Sequence, residues 1–187
     1  MDKINIVAIV GSLRKDSLNL QLAKIAQSYV EGKANFEILN ISGVPLFNQD
    51  IEYPAPEEVQ RIREKVKVAD GVWFFAPEYN HFFSGVLKNT IDWLSRPFSE
   101  VEGHVLSRKP AAISGITPGL SGTLVAQDHL VTLLSFTNMD VMNRPRLSIA
   151  HGMEQVNEDG KLELTASSSN LFKQADAFIV GFSLLSP

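Results

Sequence analysis

Three stretches of this 187-residue chain carry more chemistry than a connecting loop needs. The first is Gly11-Ser12-Leu13-Arg14-Lys15-Asp16-Ser17-Leu18-Asn19. It stands between an apolar run and a segment with helical spacing, so it opens onto a helix N-terminus. Free backbone N–H groups and the helix dipole favour an anion there. Ser12, Ser17 and Asn19 add side-chain donors and Arg14 adds a charge. Together they suit a phosphate monoester. No Gly-Lys-Ser/Thr follows, so this is not a Walker A loop. The Gly-x-Gly-x-x-Gly frame of a dinucleotide lying on the helix is also missing. The same residues would also make an ordinary polar turn with Ser17 as the helix cap, and the loop alone leaves both readings open.

The second stretch is Pro77-Glu78-Tyr79-Asn80-His81-Phe82-Phe83-Ser84-Gly85. A solvated turn rarely combines Tyr, His and two Phe. Such a segment can lay flat apolar surface beside an aromatic ring while its amides face the ring's polar edge. Phe82 and Phe83 could equally cap the core or fill a subunit contact. The third stretch runs Ser114-Gly115-Ile116-Thr117-Pro118-Gly119-Leu120-Ser121-Gly122-Thr123. Its glycines at 115, 119 and 122 allow a backbone to approach a ligand closely, although tight turns alone would explain them.

Other chemistries find little support. The chain has no cysteine, which removes disulfides, thiolate metal sites and Cys nucleophiles together and fits a reducing, cytoplasmic setting. His81, His104, His129 and His151 are scattered over different segments without metal-ligand spacing, so no metal site is expected. Ser12 lacks the Gly-x-Ser-x-Gly frame of a hydrolase elbow. Lys88 and Asp92 stand four apart and read as a solvated or interface ion pair, with Trp93 beside them in the core or at a dimer contact.

The elements that must position these stretches follow from hydrophobic periodicity. Ile4–Val10, which follows Met1-Asp2-Lys3, reads as a strand buried on both faces, being too short and too weakly flanked for a signal peptide. A helix starts near Asp16 or Ser17, with Leu18, Leu22, Ile25 and Tyr29 on one face. Phe36–Ile41 is a second strand. Pro54 and Pro56 introduce a second helix with Val59, Ile62, Val66 and Ala69 inward. Gly71–Ala76 is a third strand, and a helix follows from about Ser84. Ala111–Ile116 is a fourth strand, Thr123–Phe136 a helix and Met139–Met142 a short fifth strand. A last helix follows Ser167-Ser168-Ser169, with His151–Leu164 before it as a surface excursion.

Strand and helix alternate about five times, the pattern of a parallel sheet covered on both faces. We expect a doubly wound five-stranded α/β sheet of order 2-1-3-4-5, in a single domain spanning 1–187. Ligands then bind outside the carboxyl ends of the strands, where the order reverses between strands one and three. That nominates the loops after Val10 and Ala76 without reference to any motif. Charge argues in the same direction. Seventeen basic and 21 acidic residues give a net charge of −4, without a Lys/Arg run, so no nucleic-acid or anionic-membrane partner is expected. Nothing approaches the apolar length of a transmembrane helix.

At these residues the chain resembles the NADPH-dependent FMN reductase family, which includes quinone, chromate and azo-dye reductases. Gly11 through Asn19 meets the family's Gly-Ser-Leu-Arg-x-x-Ser-x-Asn in full. Pro77 through Pro97 meets Pro-Glu-Tyr-Asn and then Gly-x-Leu-Lys-Asn-x-x-Asp-Trp-Leu-Ser-Arg-Pro, and the likeness covers about three-quarters of the chain. The third stretch departs from the family, with Gly122-Thr123 for Gly-Gly and Val131 where an Arg often stands.

The resemblance implies a flavodoxin-like fold. It implies that Ser12, Arg14, Ser17 and Asn19 hold the phosphate of FMN. Pro77, Glu78, Tyr79 and Asn80 would line the isoalloxazine, and Ser114, Gly115 and Gly119 would close its other side. The implied activity is hydride transfer from NADPH or NADH to FMN and on to a small acceptor such as a quinone, flavin, azo compound or metal oxyanion, with no catalytic side chain. A homodimer or homotetramer is expected. An FMN electron carrier that oxidises no nicotinamide, or a cofactor-free interaction module, remain the alternatives.

Overall fold

A computed structural model describes residues 3–97 and 102–185. Its centre is β1 (Asn5–Val10), every residue of which is buried after Asn5. β1 is flanked by β2 (Asn35–Ile38) on one side and β3 (Gly71–Phe75) on the other, both parallel to it. β6 (Pro110–Ile116) pairs with β3, again in parallel. Beyond β6 lie two short pieces, β7 (Asp140–Val141) and β8 (Leu147–Ile149), which pair with its two ends. The sheet order is therefore β2-β1-β3-β6-β7, the doubly wound order expected from the sequence. Two strands differ from that expectation. The second ends at Ile38 rather than Ile41, and the fifth position is filled twice, because Asn143-Arg144-Pro145-Arg146 interrupts pairing and Leu147–Ile149 resumes it.

Period-two alternation divides the strand side chains between two cores. Val7, Ile9, Val72, Phe74, Ala111 and Ile113 face α2 (Glu57–Val68), α3 (Gly85–Leu94) and α4 (Leu124–Phe136). Ile6, Ala8, Val10, Trp73, Phe75 and Ala112 face α1 (Leu18–Val30) and α5 (Ser168–Leu185). Trp73, Phe74 and Phe75 are all fully buried, each stabilising by about 1.5–3 kcal/mol against exposure. This is why β3 reads as an unbroken apolar run.

The helix ends are matched to their surroundings. Ser17 caps α1, its Oγ accepting from Leu20 N–H, and Ser84 caps α3 in the same way with Leu87 N–H. α2 carries Glu57 and Glu58 in its first turn and Lys65 and Lys67 in its last, as its dipole favours. Lys109 Nζ donates to the Lys67 and Ala69 carbonyls at the end of α2, and burial there pushes its pKa down. Among the described residues, no helix is long and apolar enough to cross a membrane.

Candidate functional site

The carboxyl ends of β1, β3 and β6 open into a cleft of about 350 Å³. Ser12, Arg14, Asp16, Ser17, Leu18 and Asn19 line it from the first loop. Pro77, Glu78 and Tyr79 line it from the second, and Ile116, Thr117 and Pro118 from the third. A wider depression of about 800 Å³ lies at the opposite end, beside Lys3, Asn5, Asn35 and Lys65. In an open parallel sheet that is the wrong end for a ligand. Among the described residues no group of three or more His, Asp or Glu could hold a metal ion.

The first loop is fixed from below and open above. Gly11 N–H donates to Phe75 C=O at 2.9 Å, and Ser84 Oγ donates to Gly11 C=O at 2.6 Å. A Cβ on Gly11 would stand 2.9 Å from Pro77 Cδ and from Ser84 Oγ, so only glycine lets the first two loops meet. Ser12 Oγ accepts from Arg14 N–H at 3.3 Å, and Arg14 itself is exposed. At the start of α1, Ser17 Oγ takes Leu20 N–H and the Ser17 carbonyl takes Gln21 N–H. Leu18 and Asn19 N–H meet no acceptor among the described residues. Two open donors at a helix N-terminus, two hydroxyls and a guanidinium give this end of the cleft the donor chemistry that an anion takes.

The second loop is a hairpin, which period reading did not find. β4 (Glu78–Tyr79) pairs antiparallel with β5 (Phe82–Phe83) through the two-residue turn Asn80-His81. Both turn residues have positive φ, 52° and 61°, as a tight hairpin with right-handed twist requires. Asn at the first position tolerates this conformation, and that was the available signal. The hairpin docks on α4 through one carboxylate. Glu78 Oε2 accepts from Ala126 N–H at 3.0 Å and Oε1 from Ser121 Oγ at 3.2 Å. Thr123, the residue before α4, gives no side-chain cap, so Glu78 supplies from another loop the acceptor that this helix start lacks. His81 Nδ1 lies 3.5 Å from the same carboxylate, with the ring largely exposed.

Two polar residues that the sequence nominated turn their side chains inward. Asn19 is 3% exposed, and its amide forms a two-way clamp on Ile116. Nδ2 donates to Ile116 C=O at 2.9 Å and Oδ1 accepts from Ile116 N–H at 3.1 Å. Ser114 is fully buried, outside the cleft lining. It accepts from Trp73 Nε1 at 2.9 Å and donates to Gln174 Oε1 at 2.6 Å. Gln174 Nε2 then donates to the Ile113 and Pro145 carbonyls. Gly115 is a close-approach position, since a Cβ there would stand 2.4 Å from Ala76 O. Asn80 and Gly119 lie outside the lining of the cleft. Asn80 forms the hairpin tip, and Gly119 C=O accepts from His151 N–H.

The surface excursion after β8 supplies a wall that the sequence did not reveal. Met153, Val156 and Gly160 line the cleft from a segment that packs against the third loop, with Gly152 N–H donating to Thr117 C=O. Gly152 makes this possible, because a Cβ there would stand 2.6 Å from Ile116 Cγ1.

Comparison with known proteins agrees with this fold. The model of the family described as NADPH-dependent FMN reductase matches residues 4–154. A 2-hydroxy-1,4-benzoquinone reductase of a Burkholderia species is 36% identical over 159 residues, 85% of either chain. An NAD(P)H-dependent FMN reductase of Pseudomonas aeruginosa is 39% identical over 162 residues, 86% of this chain and 85% of that one. Among solved structures, the flavoenzyme NAD(P)H:(acceptor) oxidoreductase FerB of Paracoccus denitrificans superposes with a TM-score of 0.85 at 35% identity. It covers 97% of this chain and 98% of its own.

Proposed function

The chain belongs to the NADPH-dependent FMN reductase family, and from that premise we propose how its cleft works and what it acts on. It is an NAD(P)H-dependent flavin oxidoreductase with FMN as cofactor. That separates it from an electron carrier that leaves nicotinamide untouched. The observation that carries the reading is the open, donor-lined end of the cleft, continuous with the wall of Pro77, Glu78 and Tyr79. Its donor set fits a phosphate monoester: Ser12, Arg14, Ser17 and the N–H groups of Leu18 and Asn19 hold the phosphate. Asn19 contributes backbone only, its side chain being committed to Ile116. The backbone from Pro77 to Asn80 lines the isoalloxazine, and the loop carrying Gly115 and Gly119 closes its other side. Ser114 supports that loop from within the core.

When bound, FMN takes two electrons from a nicotinamide and passes them to an acceptor. The chain binds, orients and shields, and the reading assigns no side chain as acid or base. The whole of 1–187 acts as one domain. The acceptor is a small oxidant, with a quinone first because a relative is named for a benzoquinone. Three loops surround the ring position and leave one opening, so nucleotide and acceptor use it in turn. Double-reciprocal plots at several acceptor concentrations should be parallel; intersecting lines would overturn the shared opening. Flavin titration should show FMN bound more tightly than riboflavin, and equal affinities would remove the phosphate assignment. The exposed apolar side chains Phe82, Leu120 and Leu124 beside the cleft support pairing of two or more copies. A monomeric mass by light scattering at micromolar concentration would refute that.

A further inference from the structure

The excursion between β8 and α5 has no place in the resemblance, yet it is built with care. Val156 and Leu162 form an antiparallel bridge, and the turn between them is organised by one side chain. Asn157 Oδ1 accepts from Asp159 N–H at 3.0 Å and from Lys161 N–H at 2.9 Å. Asn157 Nδ2 donates to Glu163 at 2.6 Å. Leu162 is 7% exposed and packs into the core on the α1 and α5 side. The small hairpin is thus a rigid arm anchored at its base.

Its tip is tied to the anion site by Gln21. That side chain binds the hairpin backbone at two points, Oε1 accepting from Leu162 N–H at 2.7 Å and Nε2 donating to Gly160 C=O at 3.2 Å. Gln21 stands one helical turn after Ser17, and its own N–H is accepted by the Ser17 carbonyl at 3.0 Å. The clamp therefore holds the Val156–Gly160 arm over the first turn of α1, where both residues join Ser17 and Leu18 in the cleft wall.

We propose that Gln21 is a specificity-determining positioning residue. It fixes the 156–162 hairpin as an end wall, so that the anion site accepts a terminal phosphate and rejects a flavin carrying an adenylate beyond it. The inference rests on the FMN reading above. A monoester phosphate ends at the start of α1. A second phosphate with its nucleoside must continue past that point, and the clamped hairpin stands across the path. Residues of the first loop attract the phosphate; the hairpin limits what may follow it.

The test compares FMN, FAD and riboflavin titrations, with FMN release rates, for the unmodified chain, Gln21→Met and Asn157→Ala. Gln21→Met keeps side-chain bulk and removes both hydrogen bonds. Asn157→Ala loosens the same turn from a half-buried position without touching α1. The expected result is that the preference for FMN over FAD shrinks about ten-fold and FMN leaves about ten-fold faster, the scale of two lost backbone contacts. Riboflavin affinity should stay the same, because riboflavin has nothing at the wall. Folded variants with unchanged FMN-to-FAD preference would overturn the proposal alone. Equal loss for all three flavins would also overturn it, since that marks a general structural effect. If the unmodified chain bound no FMN, the underlying functional reading would fall, and the proposal with it.

Discussion

The loops after β1 and after β6 are near neighbours at the same end of the sheet, and both are rich in serine and glycine. They spend their polar groups in opposite ways. The first holds its hydroxyls, its guanidinium and two N–H groups toward the cleft. At the end of β6, where the second begins, Ser114 gives its hydroxyl to Trp73 and Gln174, and Gly115 admits Ala76 and Thr123 at close range. One loop leaves its polar groups open to the cleft, and the strand end that leads into the other spends them inside the core. A polar residue near a strand end is thus no evidence of binding until its facing is known, because a buried hydroxyl must find a partner wherever it points.

This contrast can be broken or sharpened by substitution. Gln174→Leu should have the largest effect. It takes the Nε2 donor from the Ile113 and Pro145 carbonyls and leaves the Ser114 hydroxyl proton without its acceptor, although Trp73 Nε1 still donates to that oxygen, at a cost of about 2–4 kcal/mol. Chemical denaturation should show this, while the folded fraction keeps its FMN dissociation constant. Weaker FMN binding in that fraction would mean the network belongs to the cofactor site after all. Arg14→Ala should do the reverse. FMN binding should weaken by roughly 1–3 kcal/mol in titration, the scale of a charge-assisted hydrogen bond, with the ligand-free melting temperature unchanged.

Glu78→Ala belongs to both classes. It removes the acceptor that caps α4, which should lower stability by about 1 kcal/mol by denaturant titration. It should also disturb the hairpin beside the ring position. The smallest effect is expected for Asp16→Asn. Asp16 is an exposed carboxylate in the lining of the anion end, so neutralising it should tighten FMN binding by roughly 0.3–1 kcal/mol. The gain should fade with added salt, as screening of an exposed charge requires. A gain that persists at high salt would place Asp16 in a direct contact instead.

The sheet order was legible because β1 and β3 are buried on both faces and therefore read as unbroken apolar runs. The place of the first loop in the cleft was legible because the strand order puts the carboxyl end of β1 at the switch point. What escaped did so for definable reasons. β4 and β5 have two residues each, too few for any period to register, and only the Asn80-His81 turn betrays them. β8 was missed because Pro145 breaks the pattern before Leu147–Ile149 resumes it. Ser114 could have been placed by strict alternation along β6. It shares a face with Ala112 and Ile116, both in the core beneath α1 and α5. The hairpin at 156–162 carries its information in backbone contacts to Gln21, 139 and 141 residues earlier, and no local pattern records those.

The carboxylate of Glu78 also sets which parts of the molecule open together. Amide exchange at Ala126 is blocked by an acceptor that belongs to β4 rather than to α4 itself. The first turn of that helix and the aromatic hairpin therefore form one cooperative unit, protected or released as a pair. Unzipping β4 from β5 would free the Ala126 proton to solvent. Fraying of α4 would in turn leave Glu78 without its strongest tether. A deuterium-uptake measurement on the peptides spanning 78–83 and 124–128 should find the same protection factor in both, and should find both raised together when the cleft is filled.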